Sequence, residues 1–317
     1  MSIKEKILKL NARGGEPVVL DDDLNELLNK LIEKEVYADN INILRHSLVS
    51  LLSDYSKLHN IDTVVLGMSG GIDSALTAAL FKNAGWNVTG LTLPIHQNTE
   101  ETERGIEACE SLGINHLQVD LTQAFESYLQ HATEEADAEL HTRDFYEDKN
   151  ARVRGGNIRA RLRMITLYNQ ASLHKGIVGS TDNFSELAAG FWTLHGDVGD
   201  VAPIQSLTKS WEVPALADEL GVPESIISAV PTDGLGVANG DEDQFGFSYL
   251  EFDIAMFSLF NDYDIADLED KDMSIINNVK QRIGSTVYKR FNPLNLDHPL
   301  DQNRYTDLEQ LDINLRR

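Results

Sequence analysis

Three blocks of residues in this chain have the types and spacing for chemistry on a phosphate. The first is Gly67-Met68-Ser69-Gly70-Gly71-Ile72-Asp73-Ser74, which follows the apolar run Val64-Val65-Leu66 and precedes a helix-compatible stretch from Ala75 to Lys82. A Gly/Ser-rich turn at a helix N-terminus offers backbone N–H groups and hydroxyls to an anion, and its glycines let a phosphate approach the backbone. Asp73 could hold a metal ion on that phosphate. A lone Gly-Gly pair would be read as a tight strand-to-helix turn; the whole string is what matters. The second block is Gly156-Asn157-Ile158-Arg159-Ala160-Arg161-Leu162-Arg163-Met164. Arg159 and Arg163 share a helix face by i,i+4 spacing, while Arg161 points elsewhere. The plain alternative is a solvated basic face. The third block is Gly179-Ser180-Thr181-Asp182-Asn183-Phe184-Ser185-Glu186. A strand ends there, a hydroxyl and an acid follow, and Glu186 comes one turn after Asp182. The plain alternative is that Thr181 or Asp182 caps a helix. Glu186 with Asp73 would make a sparse oxygen site, which suits Mg²⁺, an ion that takes one or two carboxylates plus phosphate oxygens and waters.

An alternating framework positions these blocks. Periodicity predicts strand 62–67, helix 74–85, strand 88–93, helix 99–112 and strand 115–119. A polar helical stretch over about 122–140, a charged loop over 141–156, helix 157–174 and strand 176–179 follow. The fold class this pattern specifies is α/β, a doubly wound and mostly parallel sheet flanked by helices. Ligands in such sheets bind at the carboxyl ends of the strands, where the glycine-rich turn lies. Residues 1 to about 60 read as helical, with a break near Gly14-Gly15-Glu16-Pro17 and with Leu44, Leu48, Leu51 and Leu52 at helix spacing. Beyond residue 180, Gly190 to Pro203 is a loop, and 209–220, 223–229, 249–260 and 275–283 read as helical. The segments 141–156 and 233–246 are candidates to close over a ligand. We read 1–317 as a single domain, with a helical N-terminal extension over 1–40 and a polar C-terminal tail over 296–317.

Composition narrows the function. One cysteine, Cys109, excludes an intrachain disulfide and a protein-only Cys cluster for zinc or iron–sulfur. It reads as a core thiol. No run of about 18 apolar residues predicts a membrane span. Met1-Ser2-Ile3-Lys4-Glu5-Lys6 alternates charge and does not read as a secretory leader, so a cytoplasmic setting is expected. The net charge of −24 opposes general nucleic-acid binding. An anionic nucleotide still needs local cations, and Arg152, Arg154, Arg159, Arg161 and Arg163 supply a candidate set. The turn lacks the Lys-Ser/Thr pair that a Walker A loop requires. Gly67-x-Ser69-x-Gly71 does fit the nucleophile elbow of serine hydrolases. However, only about sixty residues precede it, no HGGG-type segment lies upstream, and no acid partner for His298 can be singled out.

The string Ser69-Gly70-Gly71-Ile72-Asp73-Ser74 resembles the pyrophosphate loop of ATP pyrophosphatases. It is followed in order by Gly156-Asn157-x-x-Ala160-Arg161 and by Thr181-Asp182 with Glu186. Gly190-Phe191-Trp192-Thr193, Gly196-Asp197, Asp200, Pro203, Leu207-Thr208-Lys209, Val230-Pro231-Thr232 and Lys289-Arg290 continue the series. Over about residues 40–295 the chain resembles the NAD synthetase family of the ammonia-dependent type. The resemblance implies an adenine nucleotide α-hydrolase-like sheet and a two-step reaction. The carboxylate of deamido-NAD attacks the α-phosphorus of ATP, pyrophosphate leaves, and ammonia converts the acyl-adenylate to NAD and AMP.

Matched motif by motif, the resemblance implies that Gly67, Met68, Ser69, Gly70, Gly71, Ile72, Asp73 and Ser74 bind ATP phosphates. Asp73 and Glu186 would hold Mg²⁺. Thr181, Lys209 and Thr232 would contact ATP, while Arg161, Asp200 and Lys289 would hold deamido-NAD. Asp73, Lys209 and Asp182 form the catalytic set, Asp182 as a candidate to order ammonia. Each has a plainer alternative: Lys209 and Lys289 as surface lysines, Asp200 as a turn residue, Thr232 as a helix cap after Pro231. Four departures stand out. Leu194 follows Thr193 where the family has lysine, and Tyr288-Lys289 replaces a His-Lys pair. Thr92-Leu93-Pro94 replaces Arg-Leu-Pro, and the turn before Asp200 is one residue short. These could mark a divergent subfamily, an altered substrate affinity or a different acid substrate. With a single cysteine the chain has no nucleophile for a Cys-based glutaminase region, so free ammonia or a separate subunit is the implied donor. The family is typically homodimeric, and residues 41–52 would serve as a contact or as internal core. Competing readings are a non-catalytic dinucleotide-binding or sensing protein and a tRNA-modifying ATP pyrophosphatase. The arginine run favours the latter; the acidic charge and lone cysteine oppose it.

Overall fold

The computed structural model describes residues 2–12, 18–34, 40–133, 149–229, 246–263 and 270–290. Its centre is strand β1 (Thr63–Gly67), whose Val64, Val65 and Leu66 are fully buried, as residues of a parallel sheet covered on both faces must be. β1 pairs in parallel with β2 (Asn87–Thr92) on one side and with β4 (Ile177–Val178) on the other. β3 (Asn115–Gln118) adds to β2, giving the order β3-β2-β1-β4. The chain steps outward from β1 to β3, then returns to place β4 on the far side of β1. That reversal opens a crevice at the carboxyl ends of β1 and β4, the usual ligand position in such sheets. Every strand pair among the described residues is parallel, so the fold is the doubly wound α/β class that the alternating pattern specifies.

Helices cover both faces. Before the sheet come α1 (Ile3–Leu10), α2 (Asp22–Lys34) and α3 (Asn40–His59); between its strands lie α4 (Ile72–Asn83), α5 (Thr99–Leu112), α6 (Thr122–Thr133) and α7 (Lys149–Leu173). After it come α8 (Phe184–Ala189), α9 (Glu212–Glu219), α10 (Glu224–Ile227), α11 (Tyr249–Phe260), α12 (Asp270–Ser285) and α13 (Val287–Arg290). Alternation along β1 sorts the cores. Val64 and Leu66 join Leu80, Phe81, Cys109 and Leu216 on one face. Val65 joins Phe125, Met164, Leu167 and Val178 on the other. A third core lies among the helices. Leu24, Leu27, Leu28 and Leu31 of α2, at i, i+3, i+4 and i+7, are buried with Ile7, Trp211, Leu250 and Ile276. Full burial of each such leucine contributes about 1.5–3 kcal/mol, so tertiary packing holds these helices more than propensity does. In α3, Leu52 is buried and Leu44 and Leu48 are partly so, while Ile43 and Leu51 face solvent. No described helix is long and apolar enough to cross a membrane.

Among the boundaries that differ from the periodicity reading, two have a visible cause. The expected loop over 141–156 ends in helix from Lys149 onward. Gly155 and Gly156 lower helix propensity, but Ala151 is buried against Phe125, and that packing carries the helix through them. The helix expected from Lys209 begins instead at Glu212. Thr208 donates its N–H and hydroxyl to Glu212 Oε2 at 2.8 and 2.9 Å, which leaves 209–211 as a turn before the helix. The break at 14–17, the C-terminal tail over 296–317, and 134–148 and 230–245, which hold most of the two candidate closing loops, lie outside the described residues.

Candidate functional site

The glycine-rich turn is shaped from within and from behind. Its Gly71 N–H donates to Ser69 Oγ at 3.2 Å, and Ser74 Oγ donates to the Gly71 carbonyl at 2.9 Å. Gly71 is the N-cap of α4 and provides no side-chain cap, so an anion can meet the first-turn N–H groups. Gly70 adopts φ +86°, and a Cβ there would sit on the Glu101 carbonyl of α5. Arg104 of the same helix donates Nε to the Gly70 carbonyl at 3.3 Å. Contacts within the protein thus hold the loop's shape.

Three charged side chains meet beside this loop from three separate segments. Asp73 comes from the first turn of α4, Glu186 from the first turn of α8, and Lys209 from the turn before α9. Lys209 Nζ is bonded to Asp73 Oδ2 and lies 3.8 Å from Glu186 Oε1. Asn183 binds the cluster together. It is the N-cap of α8, forms a capping box with Glu186, and donates Nδ2 to Asp73 Oδ1 at 3.0 Å. Glu186 thus uses Oε2 to accept the Asn183 N–H at 3.2 Å and keeps Oε1 towards Lys209. The cap is Asn183, so the alternative of Thr181 or Asp182 as the N-cap does not hold. Among the described residues no three His, Cys, Asp or Glu side chains form a metal cage. Two converging carboxylates beside a phosphate loop nonetheless suit Mg²⁺, which draws the rest of its shell from phosphate and water.

A cavity of about 470 Å³ extends from the loop. That lies within the usual range of roughly 300–1,000 Å³ for small-molecule sites. Its walls bring together all eight residues of 67–74 with Thr181, Asp182, Glu186, Lys209 and Lys289. Asp182 is buried and accepts from Ser180 Oγ at 2.6 Å and from Gln205 Nε2. Lys289 donates Nζ to the Gly190 and Trp192 carbonyls, each at 2.6 Å, and sits over the Trp192 ring. Burial lowers the Lys289 pKa, and the nearby Asp197 acts against that shift.

Arg161 and Asp200 are not part of these walls. Arg161 is exposed on α7 and donates Nε to the Leu194 carbonyl at 3.2 Å. Asp200 is exposed too, and accepts from Tyr168 Oη at 2.9 Å and from the Val178 N–H at 2.8 Å. Burial and the Asp200 carboxylate push the Tyr168 phenol up to about 12. Arg161, Ile165 and Tyr168 share one face of α7 by i,i+4 and i,i+7 spacing, and Ile165 is 66% exposed. Thr232 lies outside the described residues.

Burial divides the arginine run. Arg159 is buried with its guanidinium 5.0 Å from the centre of the Phe125 ring, a core position. Arg163, one turn on, lines the cavity and donates to the Leu93 carbonyl and to Gln97 Oε1 at 3.1 and 3.3 Å. Asp197 also lines the cavity, although the sequence suggested no role for it. It accepts the Thr193 N–H at 2.6 Å and its side chain is open to solvent. Its sequence signal is the place of Gly196-Asp197 in the motif series that carries the family resemblance.

A glycine-rich anion loop at a switch point of a parallel sheet, edged by an acid pair and a lysine, defines a nucleotide-binding α/β protein of the ATP pyrophosphatase kind. The NAD synthase family model matches residues 44–293, and the chain belongs to that family. The NH3-dependent NAD+ synthetase of Finegoldia magna is 38% identical over 196 residues, 61% of this chain and 75% of that one. Among solved structures, NMN synthetase from Francisella tularensis superposes with a TM-score of 0.68 at 29% identity, covering 82% of this chain and 98% of that chain. The NH3-dependent NAD synthetase of Campylobacter jejuni gives 0.64 at 28% identity, with 81% and 99% coverage.

Proposed function

We propose that the protein catalyses the ATP-dependent amidation of deamido-NAD by ammonia, forming NAD, AMP and pyrophosphate. The observation that carries this reading is the meeting of Asp73, Glu186 and Lys209 beside the glycine-rich loop, in a cavity that Lys289 also lines. A carboxylate is a poor acceptor for an amine, so it is first activated. One carboxylate oxygen of the substrate bonds to the α-phosphorus of ATP, and the bond to the pyrophosphate oxygen breaks. Loop N–H groups, Ser69 and Ser74 hold the departing pyrophosphate, and Lys209 balances charge on it. Ammonia then bonds to the acyl carbon, and AMP leaves with the oxygen that joined it. Asp73 and Glu186 would hold Mg²⁺, which supplies charge neutralisation at the phosphates. Two carboxylates and one ammonium leave the cluster with a net negative charge, which favours a divalent cation. Asp182, whose oxygens accept from Ser180 and Gln205, would order ammonia for its attack on the acyl carbon.

Arg161 and Asp200 enter the same reading through a second subunit. They lie outside the cavity on an exposed face shared with Ile165, so a dinucleotide reaching them would lie across a homodimer contact. Trp211 packs in the helical core and the adjoining Val213 in a sheet core, which supports reading the chain as one domain. A cytoplasmic setting goes with this reading. A second acid substrate is favoured by one observation, the 0.68 TM-score to an NMN synthetase, which points to a nicotinate mononucleotide. The test is incubation of the purified protein with ATP, Mg²⁺ and ammonium, and with either acid in turn. Equal NAD and AMP from deamido-NAD is the expected result. ADP as product would overturn the mechanism, and turnover of the mononucleotide alone would replace the substrate.

A further inference from the structure

We infer that Lys209 is placed by a buried polar clamp of Asp253 and Asn11, which makes the first helix of the chain part of the active-site support. The inference rests on the proposed role of Lys209 at the phosphates. Lys209 belongs to no helix, so its backbone needs other supports. Its N–H donates to Ser185 Oγ at 3.0 Å, and that hydroxyl donates to Asp253 Oδ1 at 2.6 Å. The next residue is held on every polar group. Ser210 donates its N–H and Oγ to Asp253 Oδ2 at 3.1 and 2.6 Å. Its carbonyl accepts from Asn11 Nδ2 at 2.6 Å, and the same amide donates to the Ile7 carbonyl at 2.8 Å.

The clamp is wholly internal. Asp253, Ser185 and Ser210 are fully buried and Asn11 is 6% exposed. Asp253 lies on α11 between Phe252 and Ile254, both fully buried. A carboxylate there is costly to bury, and an apolar side chain would fill the space without that cost. What the carboxylate supplies is direction, since three donors converge on it and fix the turn from which Lys209 projects. Asn11 ends α1, which lies ahead of the residues 44–293 matched by the family model. Ile7 of α1 and Trp211 share one core, so packing and hydrogen bonding anchor the same turn.

The test is a set of double-variant cycles with single-turnover AMP formation as the readout. Asn11→Ala and Ser185→Ala each remove two buried hydrogen bonds, only part of which reach Lys209, and each should lower the rate about tenfold. The KM for deamido-NAD should stay within about twofold, because the clamp touches no dinucleotide contact. On a Lys209→Ala background neither substitution should lower the rate further, since residues acting through Lys209 are not additive with it. Equal losses on both backgrounds would overturn the proposal. Hydrogen exchange supplies a readout that needs no substrate: Ser185→Ala should speed exchange of the Lys209 amide at least about tenfold and leave the α11 amides unchanged. Unchanged exchange at Lys209 would also overturn it. An inactive wild type would refute the proposed reaction instead, and exchange would then decide the clamp.

Discussion

Gly70 and Gly85 provide a controlled measurement of how tightly helix α5 shapes the phosphate loop. Their φ angles nearly coincide, at +86° and +85°. Their surroundings are not. A Cβ at Gly85 meets nothing within 4 Å, whereas one at Gly70 would overlap the Glu101 carbonyl and lie 3.3 Å from Arg104 Cβ. The left-handed conformation costs an L-residue about 1–2 kcal/mol, and that is the whole expected loss for Gly85→Ala. Gly70→Ala adds an overpacking cost of about 1–3 kcal/mol. The Glu101 carbonyl belongs to a helix and cannot swing aside, so the loop must move instead. Denaturant unfolding of both variants should therefore show Gly70→Ala less stable than Gly85→Ala by that second amount. The displaced loop should also lower kcat/KM for ATP at least about tenfold in Gly70→Ala, equivalent to about 1.4 kcal/mol of transition-state binding, while Gly85→Ala keeps wild-type turnover. Equal stability losses, or equal kcat/KM in the two variants, would refute the argument that α5 sets the loop.

Other expectations follow from the same geometry. Asp73→Asn should lower kcat at least about 100-fold with little change in thermal midpoint, because it removes a proposed metal ligand from a partly open cluster; wild-type turnover would remove Asp73 from that role. Arg161→Ala should raise the KM for deamido-NAD more than it lowers kcat, and sedimentation should find the wild-type chain as a dimer; unchanged kinetics in a monomer would put Arg161 outside the site. The Cys109 thiol is pushed up to about 12 by burial, so it stays protonated at neutral pH and should resist a thiol reagent until the protein unfolds. Stoichiometric labelling of the folded protein at pH 8 would contradict that burial.

What could be read ahead of the structure was local. The loop 67–74 announces itself because glycines, serines and an acid follow one another between a buried strand and a helix. Glu186 was legible for a similar reason, as an acid one turn into a helix that follows a strand. The arginine run shows where such reading ends. Arg159 and Arg163 are identical in type and share a helix face, yet one covers a phenylalanine ring and the other lines the cavity. Their fates are set by what α6 and the β2 loop present to them, which spacing does not encode. Asp253 gave no signal because its partner Ser185 lies 68 residues away. Asn11 is farther still, 199 residues from Ser210. The start of α9 was misplaced because Glu212 turns back to Thr208, a side-chain bond that competes with one more turn of helix.

In the proposed reaction a substrate carboxylate oxygen attacks the α-phosphorus of ATP beside Lys209, and isotope transfer reports that step. Deamido-NAD labelled with ¹⁸O in its nicotinate carboxylate should deliver one labelled oxygen to the phosphate of AMP and leave pyrophosphate unlabelled. Label recovered in pyrophosphate or inorganic phosphate, or AMP free of label, would contradict it.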